Sequence, residues 1–427
     1  MSSPNLPPDA AESYAALKLG LPKTAADLGL MQGFPAQPQA RVTWANWIAA
    51  PFNRWGFQHV QALRPTLSVA RGSRPPAPFH AAPAELDSFR FDSVCGVQHS
   101  LGDHLAASYT DAFLVLQKDK LVYERYWNGQ TEATRHIMFS VTKSLIGLLA
   151  ESLIHQGVFD ENALVSAYVP ELAASAFGDA SLRQVLDMAV GIDYVEQYDD
   201  PDSSSSHYGY ASALLPAPEG LGKYASLYEY LPSLGKRGQH GGLFHYVTAV
   251  TEVLGWAMER DAGKSSERLL EEMVWSKLGM ERDGLFAADP WGRAITGAGF
   301  SATLRDLARV GRLILGQGKA GGEEILPADA IRKIAAGADP AIFGQDAEFS
   351  AWAPGASYRS QWYVFNDNPG SGKGGSMMAC GIHGQYIFID FAAELVVVKQ
   401  SSMPVADMAI GADTVRLLRA LARHFAR

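Results

Sequence analysis

The sequence predicts a mixed α/β (α+β) fold, with an antiparallel sheet flanked by helices and joined to a mostly helical lobe. Strand-like runs lie near residue 112 and again near the carboxyl end, and apolar or amphipathic helices lie between them. The 427 residues also suffice for a large core. Early and late strands most simply join into one sheet, and a cleft between the sheet and the lobe is the expected site.

Three parts of the chain differ in composition and periodicity. The first part is rich in Pro and Ala, and its aromatic runs around Trp44 and Trp55 are expected to pack onto the rest of the protein. The predicted division is residues 1–100 for an N-terminal extension wrapping the body, residues 101–160 and 290–427 for the α/β sheet domain, and residues 161–289 for a helical lobe with active-site loops.

Individual elements follow from hydrophobic periodicity. Ala112–Leu116 and Leu121–Trp127, separated by the polar break at Lys118, predict a β-hairpin. The later elements predicted in the same way are helices over Ser144–Gln156 (ending at Gly157), Ser181–Ala189, Thr248–Met258, Ser265–Lys277, Leu304–Leu315 and Ile410–Phe425, and a pair of strands over Gln385–Asp390 and Glu394–Gln400.

Composition argues against several classes of function. The formal charge is −9 and no Lys/Arg-rich run occurs, so nucleic acid is not an expected partner. No apolar run is long enough to span a membrane, and the N-terminus lacks a secretory signal pattern. Cys95 and Cys380 form no C-x-x-C pair, and no Cys/His spacing indicates a metal or another cofactor. We expect a soluble cytoplasmic protein acting on a small molecule, with the oligomeric state open, a homodimer included.

The positive signal for chemistry is an S-x-x-K element formed by Ser140 and Lys143 at the start of an apolar helix. Residues three apart share a helix face, so the lysine amine can reach the serine hydroxyl. Burial lowers the pKa of a lysine, and a neutral lysine can act as a general base. The alternative is a helix-capping serine beside a surface lysine. A second copy, Ser233 to Lys236, lies in a Pro/Gly loop and is interpreted as chance.

Several further motifs accompany Ser140 in order along the chain. They are Thr110–Leu116, Val185–Met188, Ile192–Tyr194 with Tyr198, Phe244–Tyr246, Arg305–Gly311, Gln361–Trp362 and Gly381–Gln385. Together they resemble the serine β-lactamase-like superfamily, and most closely the 6-aminohexanoate-dimer hydrolases (nylon-oligomer hydrolases) and related carboxylesterases. The resemblance extends from about residue 53 to residue 402.

The resemblance implies a β-lactamase/penicillin-binding-protein-like fold and specific catalytic roles. Ser140 resembles the acylated nucleophile and Lys143 its base, while Tyr246, with a lowered pKa, would carry a proton to the leaving group. An edge strand at Ile382–Gly384 would offer a free backbone N–H, so the amides of Ser140 and Ile382 would form the oxyanion hole. From the residues alone, an aromatic core residue is the favoured interpretation of Tyr246, since Phe244 and Val247 flank it.

The resemblance also implies substrate contacts. Tyr198 matches a tyrosine that closes over the substrate, and it precedes a polar segment with the composition of a mobile lid or of a plain solvated loop. For His383 the alternative is a buried histidine that is hydrogen-bonded in the sheet. The residues implied to bind substrate are Tyr198, Thr248, Tyr363 and His383.

Some family features are missing. Ile382–Gly384 stands where the superfamily usually has Lys-Thr-Gly, so the cation that recognises the carboxylate of β-lactams is absent; Lys373 lies in a nearby loop. The acidic residue that holds the substrate's amino group in nylon-oligomer hydrolases falls at Tyr208–Gly209, where no carboxylate stands unless Asp199, Asp200 or Asp202 replaces it. The family's asparagine falls near Gly297.

The sequence therefore predicts a serine hydrolase that acts through an acyl-enzyme. Its expected substrates are short carboxylic esters, with linear amides such as 6-aminohexanoate oligomers as a second class. Two alternatives stay open: a β-lactamase or D-alanyl peptidase, and a catalytically silent β-lactamase-like binding protein.

Overall fold

The protein is built around an eight-stranded sheet, seen in a computed structural model that describes residues 22–366 and 375–426. The strands are β1 (Thr66–Val69), β2 (His80–Ala81), β3 (Arg90–Asp92), β4 (Gln98–Ser100), β5 (Thr110–Gln117), β6 (Lys120–Tyr126), β7 (His136–Ile137), β8 (Gly284–Ala287), β9 (Phe300–Ala302), β10 (Lys319–Ala320), β11 (Glu323–Glu324), β12 (Ala356–Arg359), β13 (Trp362–Phe365), β14 (Ser376–Gly381), β15 (Gln385–Asp390) and β16 (Leu395–Ser401).

The large sheet joins strands from distant parts of the sequence. Its order is β12-β13-β14-β15-β16-β5-β6-β2, with β2 parallel to β6 and the other neighbours antiparallel. Val397 of β16 lies opposite Val115 of β5, which fixes the register between late and early strands. The predicted hairpin, the late strand pair and their union in one antiparallel sheet are confirmed.

Sequence reasoning missed four strands of this sheet, namely β2 at one edge and the neighbouring β12, β13 and β14 at the other edge. Ser376–Gly381 contains no β-branched residue, so the local preference that marks a strand is absent there. The three neighbouring strands form because β15 pairs with β14 and β13 continues the ladder. Tertiary pairing therefore overrides weak local propensity at this edge.

The helices described by the structure surround the sheet and form the lobe. They are α1 (Asn53–Gly56), α2 (Val60–Leu63), α3 (Leu101–Ala107), α4 (Val141–His155), α5 (Val165–Tyr168), α6 (Leu182–Leu186), α7 (Ser204–Ala211), α8 (Leu227–Tyr230), α9 (Thr248–Ala262), α10 (Ser266–Met273), α11 (Leu304–Leu315), α12 (Ala328–Ala336), α13 (Pro340–Phe343), α14 (Ala347–Trp352) and α15 (Met408–Phe425), with short 3-10 turns at Pro38–Ala40, Pro170–Leu172, Leu231–Ser233 and Trp275–Lys277.

Most predicted helices are confirmed, and two are shorter than expected. The helix predicted over Ser181–Ala189 ends at Leu186, because Met188 adopts a positive φ of 51° that an α-helix does not accommodate. The helix predicted over Ser265–Lys277 breaks after Met273 into a 3-10 turn. Leu304–Leu315 agrees residue for residue, and Gly157 follows α4 with a φ of +72°.

Helix α4 is buried from Val141 to Leu153, as its largely apolar sequence predicts. It packs against β14 and against α12. A Cβ atom on Gly147 would lie 2.0 Å from the carbonyl oxygen of Ser360, so glycine permits the closest approach of this helix to the sheet. Trp362 adds a hydrogen bond from its indole to the Ser144 carbonyl, at 2.9 Å.

The N-terminal residues that the structure describes pack onto the rest of the protein, as the aromatic runs predicted. Trp44 and Trp47 donate indole hydrogen bonds to the carbonyls of Ala213 and Leu214, at 2.8 and 3.1 Å. Strand β1 completes a four-stranded sheet of order β1-β8-β9-β7, and β2 extends the large one. The division of the chain into three domains stays a prediction, and residues 1–21 lie outside the described residues.

Within residues 22–366 and 375–426, no helix is both long enough and apolar enough to cross a membrane.

Candidate active site

Ser140 stands at a sharp turn between β7 and α4. The preceding residue, Phe139, adopts a φ of +44°, a conformation that costs energy for a residue with a side chain. Ser140 is the N-cap of α4, yet its side chain makes no capping hydrogen bond. Its hydroxyl instead accepts a hydrogen bond from Nζ of Lys143 at 2.7 Å. The capping alternative for Ser140 is therefore wrong.

Lys143 is buried, with 1% of its surface exposed, so the alternative of a surface lysine is also wrong. Besides Ser140, its Nζ donates a hydrogen bond to the carbonyl of Gly297 at 2.7 Å. Burial lowers the pKa of Lys143 to about 8, although Glu196, Glu252 and Cys380 oppose this shift. The lysine is thus partly neutral near neutral pH, which is what a general base requires.

Tyr246 lies beside this pair, with its ring centre 5.3 Å from Nζ of Lys143. Burial and the charge of Glu196 raise the pKa of Tyr246 well above its usual value, while a hydrogen bond with Ser140 opposes the shift. The expectation of a lowered pKa is therefore wrong, because desolvation outweighs any effect of the neighbouring lysine. Tyr246 stays a neutral phenol and can donate a proton.

The end of β14 lies against the Ser140 backbone. A Cβ atom on Gly381 would lie 2.3 Å from the Met138 carbonyl oxygen and 3.1 Å from the Ser140 nitrogen, so glycine is required there. Ile382–Gly384 forms the turn into β15. The expectation that this element belongs to an edge strand is wrong, because β14 and β15 are both internal strands of the sheet. The amides of Ser140 and Ile382 nevertheless lie at adjoining turns.

His383 lies in this turn with a φ of +62°. Its Nδ1 donates a hydrogen bond to the Met403 carbonyl at 2.7 Å, and its ring packs on Phe57 and Phe139. Burial lowers the pKa of His383 to about 4, so the ring is neutral. The geometry favours the buried, hydrogen-bonded histidine over a substrate ligand, although the residue also borders the clefts described next.

Two clefts meet at Ser140. The aromatic cleft, of about 410 Å³, is lined by Tyr246, Phe349, Trp352 and Tyr363 among others. The aliphatic cleft, of about 790 Å³, is lined by Ile48, Leu214, Leu215, Thr248 and Val405 among others. Tyr363 and Thr248 therefore border different clefts, and Ser140 borders both.

Glu196 borders both clefts, and sequence reasoning missed it. Its carboxylate accepts hydrogen bonds from the Tyr198 hydroxyl at 2.6 Å and from the Thr248 hydroxyl at 2.5 Å. Tyr198, with 48% of its surface exposed, thus leans on Glu196 at the rim. The signal that could have identified Glu196 is its place as the one charged residue between Tyr194 and Tyr198.

Tyr208 and Gly297, which mark where the family's acidic residue and asparagine are missing, pack against each other. The Tyr208 hydroxyl donates to Glu252 at 2.7 Å, and a Cβ on Gly297 would meet both of these side chains. Lys373 lies outside the described residues. The second S-x-x-K copy is confirmed as chance, because Lys236 pairs with Asp179 at the surface.

Among residues 22–366 and 375–426, no group of three or more His, Cys, Asp or Glu side chains is placed to hold a metal ion.

The geometry just described has counterparts in known proteins. A family model described as Beta-lactamase matches residues 103–420. The chain belongs to the β-lactamase family. It is similar to a 6-aminohexanoate-dimer hydrolase from Paenarthrobacter ureafaciens, with 36% identity over 375 residues that cover 88% of this chain and 91% of the relative. The chain is thus a serine hydrolase of this family.

Solved structures of the β-lactamase family agree. A Bacillus anthracis protein, provisionally named a 6-aminohexanoate-dimer hydrolase, superposes with a TM-score of 0.81 and 29% identity, covering 90% of this chain and 97% of its own. EstCE1, described as a hydrolase with promiscuous acyltransferase activity, superposes with a TM-score of 0.55 over 73% of this chain and 93% of its own; at 17% identity it supports the fold alone. The predicted β-lactamase/penicillin-binding-protein-like fold and the assignment as a hydrolase are confirmed.

Proposed function

We propose that this protein hydrolyses short carboxylic esters through a covalent acyl-enzyme on Ser140. The observation that carries the proposal is the 2.7 Å hydrogen bond between Lys143 and Ser140 inside a buried site, together with a Lys143 pKa of about 8. A neutral amine at this distance can take the serine proton and leave an alkoxide that attacks a carbonyl carbon.

The acylation step uses four groups. Ser140 Oγ forms a bond to the carbonyl carbon as its proton passes to Lys143, and the carbonyl oxygen becomes an oxyanion. The amides of Ser140 and Ile382 stabilise that oxyanion. As the carbon–oxygen bond to the alcohol breaks, Tyr246 donates its proton to the departing oxygen and regains one from the Lys143 ammonium.

Deacylation reverses the roles of these groups. The Tyr246 hydroxyl passes its proton to the neutral Lys143 amine and takes one from an attacking water, whose oxygen bonds to the acyl carbon. The second tetrahedral species then collapses, the Ser140–acyl bond breaks, and the serine oxygen recovers its proton. The charge of the oxyanion rests on the same two amides in both halves of the reaction.

The two clefts support an assignment of the two halves of the substrate. Tyr246, the proton donor to the leaving group, borders the aromatic cleft, so we place the alcohol there. The acyl chain then occupies the aliphatic cleft, whose Leu214, Leu215 and Val405 provide apolar contact.

Linear amides form the second substrate class of the proposal. The observation that favours it is Glu196, a carboxylate at the junction of both clefts that can pair with a substrate ammonium. It takes the place of the acidic residue that is missing at Gly209. Esters come first, because an alcohol is a better leaving group than an amine.

The decisive experiment is stopped-flow hydrolysis of p-nitrophenyl butyrate by the wild type, Ser140→Ala and Ser233→Ala. We expect a burst of p-nitrophenol in the wild type and in Ser233→Ala, the serine of the chance S-x-x-K copy, and no burst in Ser140→Ala. Turnover should fall by at least about 10³-fold in Ser140→Ala. Equal rates in all three proteins would favour a silent binding protein. The linear dimer of 6-aminohexanoate, assayed for released amine, tests the amide class.

A β-lactamase or D-alanyl peptidase is disfavoured, because Ile382 supplies no cation to a substrate carboxylate at the turn after β14. A cytoplasmic location and a homodimer stay predictions.

A further inference from the structure

A second carboxylate lies behind Lys143, away from the two clefts. Glu252 on α9 is buried, with 6% of its surface exposed, and it does not border either cleft. It accepts hydrogen bonds from the Tyr208 hydroxyl at 2.7 Å, from the Thr296 hydroxyl and amide at 2.7 and 3.0 Å, and from the Gly297 amide at 2.7 Å. All four partners donate, which is the arrangement that an ionised carboxylate needs when it is buried.

The same peptide segment connects Glu252 to the proposed base. Gly297 donates its amide to Glu252, and its carbonyl accepts the hydrogen bond from Nζ of Lys143 at 2.7 Å. The carboxylate therefore fixes the residue that holds the lysine amine beside Ser140. No substrate group is needed to form this chain of contacts.

The packing explains why position 297 is a glycine in this chain. A Cβ atom there would lie 2.9 Å from Glu252 Oε1 and 2.9 Å from the Tyr208 hydroxyl oxygen. The space that a side chain would need is filled by the carboxylate and the phenol. The buried pair of Glu252 and Tyr208 thus fills the space of the side chain that Gly297 lacks. This pair acts on the proposed base, Lys143, and not on the substrate.

We propose that Glu252 is a positioning residue for the Ser140–Lys143 pair: it holds the Gly297 carbonyl toward Nζ of Lys143 and supplies a fixed negative charge behind that amine. The inference rests on the proposed roles of Ser140 and Lys143. Glu252 touches no reacting atom, and it acts through Gly297 and through its charge.

Other titratable groups also face Lys143 and must be kept constant in a test. Glu196, in the loop before α7, and Cys380, in β14, both raise the pKa of Lys143. The ring of Tyr246, just before α9, lies beside the Lys143 amine. Glu252 itself faces the phenols of Tyr208 and Tyr228. Burial raises the pKa of Glu252, and its four hydrogen bonds oppose that shift.

The test is the pH profile of kcat/KM for p-nitrophenyl butyrate in Glu252→Gln. The charge of Glu252 raises the pKa of Lys143, so its removal should lower that pKa and move the acid limb of the profile down by about one pH unit. The plateau rate should fall by about tenfold, because the amide holds Gly297 less firmly than the carboxylate does. A purely structural role would lower the rate without moving the limb.

Glu259→Gln is the matched control. Glu259 lies two turns further along α9, and it also accepts hydrogen bonds from a tyrosine, Tyr228 at 3.1 Å, and from a backbone amide, that of Ser266 at 2.8 Å. It does not contribute to the pKa of Lys143. We expect this variant to keep the wild-type limb and plateau.

If Glu252→Gln folds and its acid limb lies at the same pH as that of the wild type, the proposal is overturned. If that variant does not fold, Glu252→Asp replaces it. The charge remains in Glu252→Asp, but the shorter side chain releases Gly297. The plateau rate should then fall about tenfold, while the acid limb stays at the wild-type pH. A wild-type profile in Glu252→Asp would also overturn the proposal. Failure of the proposed function is distinguishable, because Ser140→Ala would then match the wild type in both burst and rate.

Discussion

Lys143 illustrates how position alone can change the chemistry of a residue. A lysine in water holds its proton up to a pH near 10.4, and burial lowers the pKa of this one to about 8. The carboxylates of Glu196 and Glu252 limit the shift. The site therefore sets the balance between a neutral amine, which can act as a base, and an ammonium, which can return the proton.

This balance predicts the pH dependence of hydrolysis. The base must be neutral, so kcat/KM for p-nitrophenyl butyrate should rise about tenfold per unit from pH 6 and level off above about pH 8. Lys143→Arg keeps the positive charge at every accessible pH and should lose about 10³-fold or more in rate, with no acid limb near 8. A wild-type limb below pH 6, or an active Lys143→Arg, would contradict the assignment.

At the residue scale, the sequence located the groups that a motif can mark and missed those that only folding brings together. Ser140 and Lys143 are one helical turn apart, so their contact follows from local geometry. Glu252 lies 45 residues from Gly297, and no spacing rule connects them. The predicted direction of the Tyr246 pKa shift was wrong. The sequence indicated a neighbouring lysine, which would lower the pKa, but it did not show how deeply the phenol is buried.

At the scale of elements, the position of α4 decides where Ser140 stands. The helix approaches the β12–β13 turn so closely that a Cβ on Gly147 would lie 2.0 Å from the Ser360 carbonyl oxygen. The periodicity of the sequence predicted this helix and its burial. It could not predict the contact with Ser360, because β12 and β13 were not predicted as strands.

Gly147→Ala should therefore destabilise the protein despite the higher helix propensity of alanine. We expect a loss of about 3 kcal/mol in the free energy of unfolding, since the helix must move away from the turn. Urea denaturation followed by circular dichroism measures the loss. Gly242→Ala is the control, because a Cβ there meets nothing within 4 Å and the backbone is unstrained. Equal stability of both variants would show that α4 is not held at this distance.

At the scale of the whole molecule, a buried ion pair joins the N-terminal segment to the large sheet. Arg54 bonds to Asp111 at 2.8 Å and to the Ser402 hydroxyl at 2.7 Å. Asp111 also accepts from His136 and from Ser402. The sequence predicted that the aromatic runs pack onto the body, and it gave no sign that a charged residue between them is buried.

Arg54→Met should be strongly destabilising, because it leaves the Asp111 carboxylate buried without its cation. The expected loss is about 3–5 kcal/mol in the free energy of unfolding. Arg237→Met, which removes an exposed pair with Asp193, should cost less than about 1 kcal/mol in the same denaturation assay. A small loss in Arg54→Met would show that the ion pair with Asp111 is not what holds the N-terminal segment to the sheet.

The contacts of Asn53 have a consequence for synthesis of the chain on the ribosome. Its side-chain amide binds the carbonyls of Ser402 and Met403, about 350 residues later, and the Met403 carbonyl also holds His383 in the turn after β14. A growing chain exposes Ser140 long before these residues emerge from the exit tunnel. The nascent polypeptide thus carries Ser140 without the turn that lies against it in the folded protein, and we expect the proposed active site to form only after residue 403 has been translated.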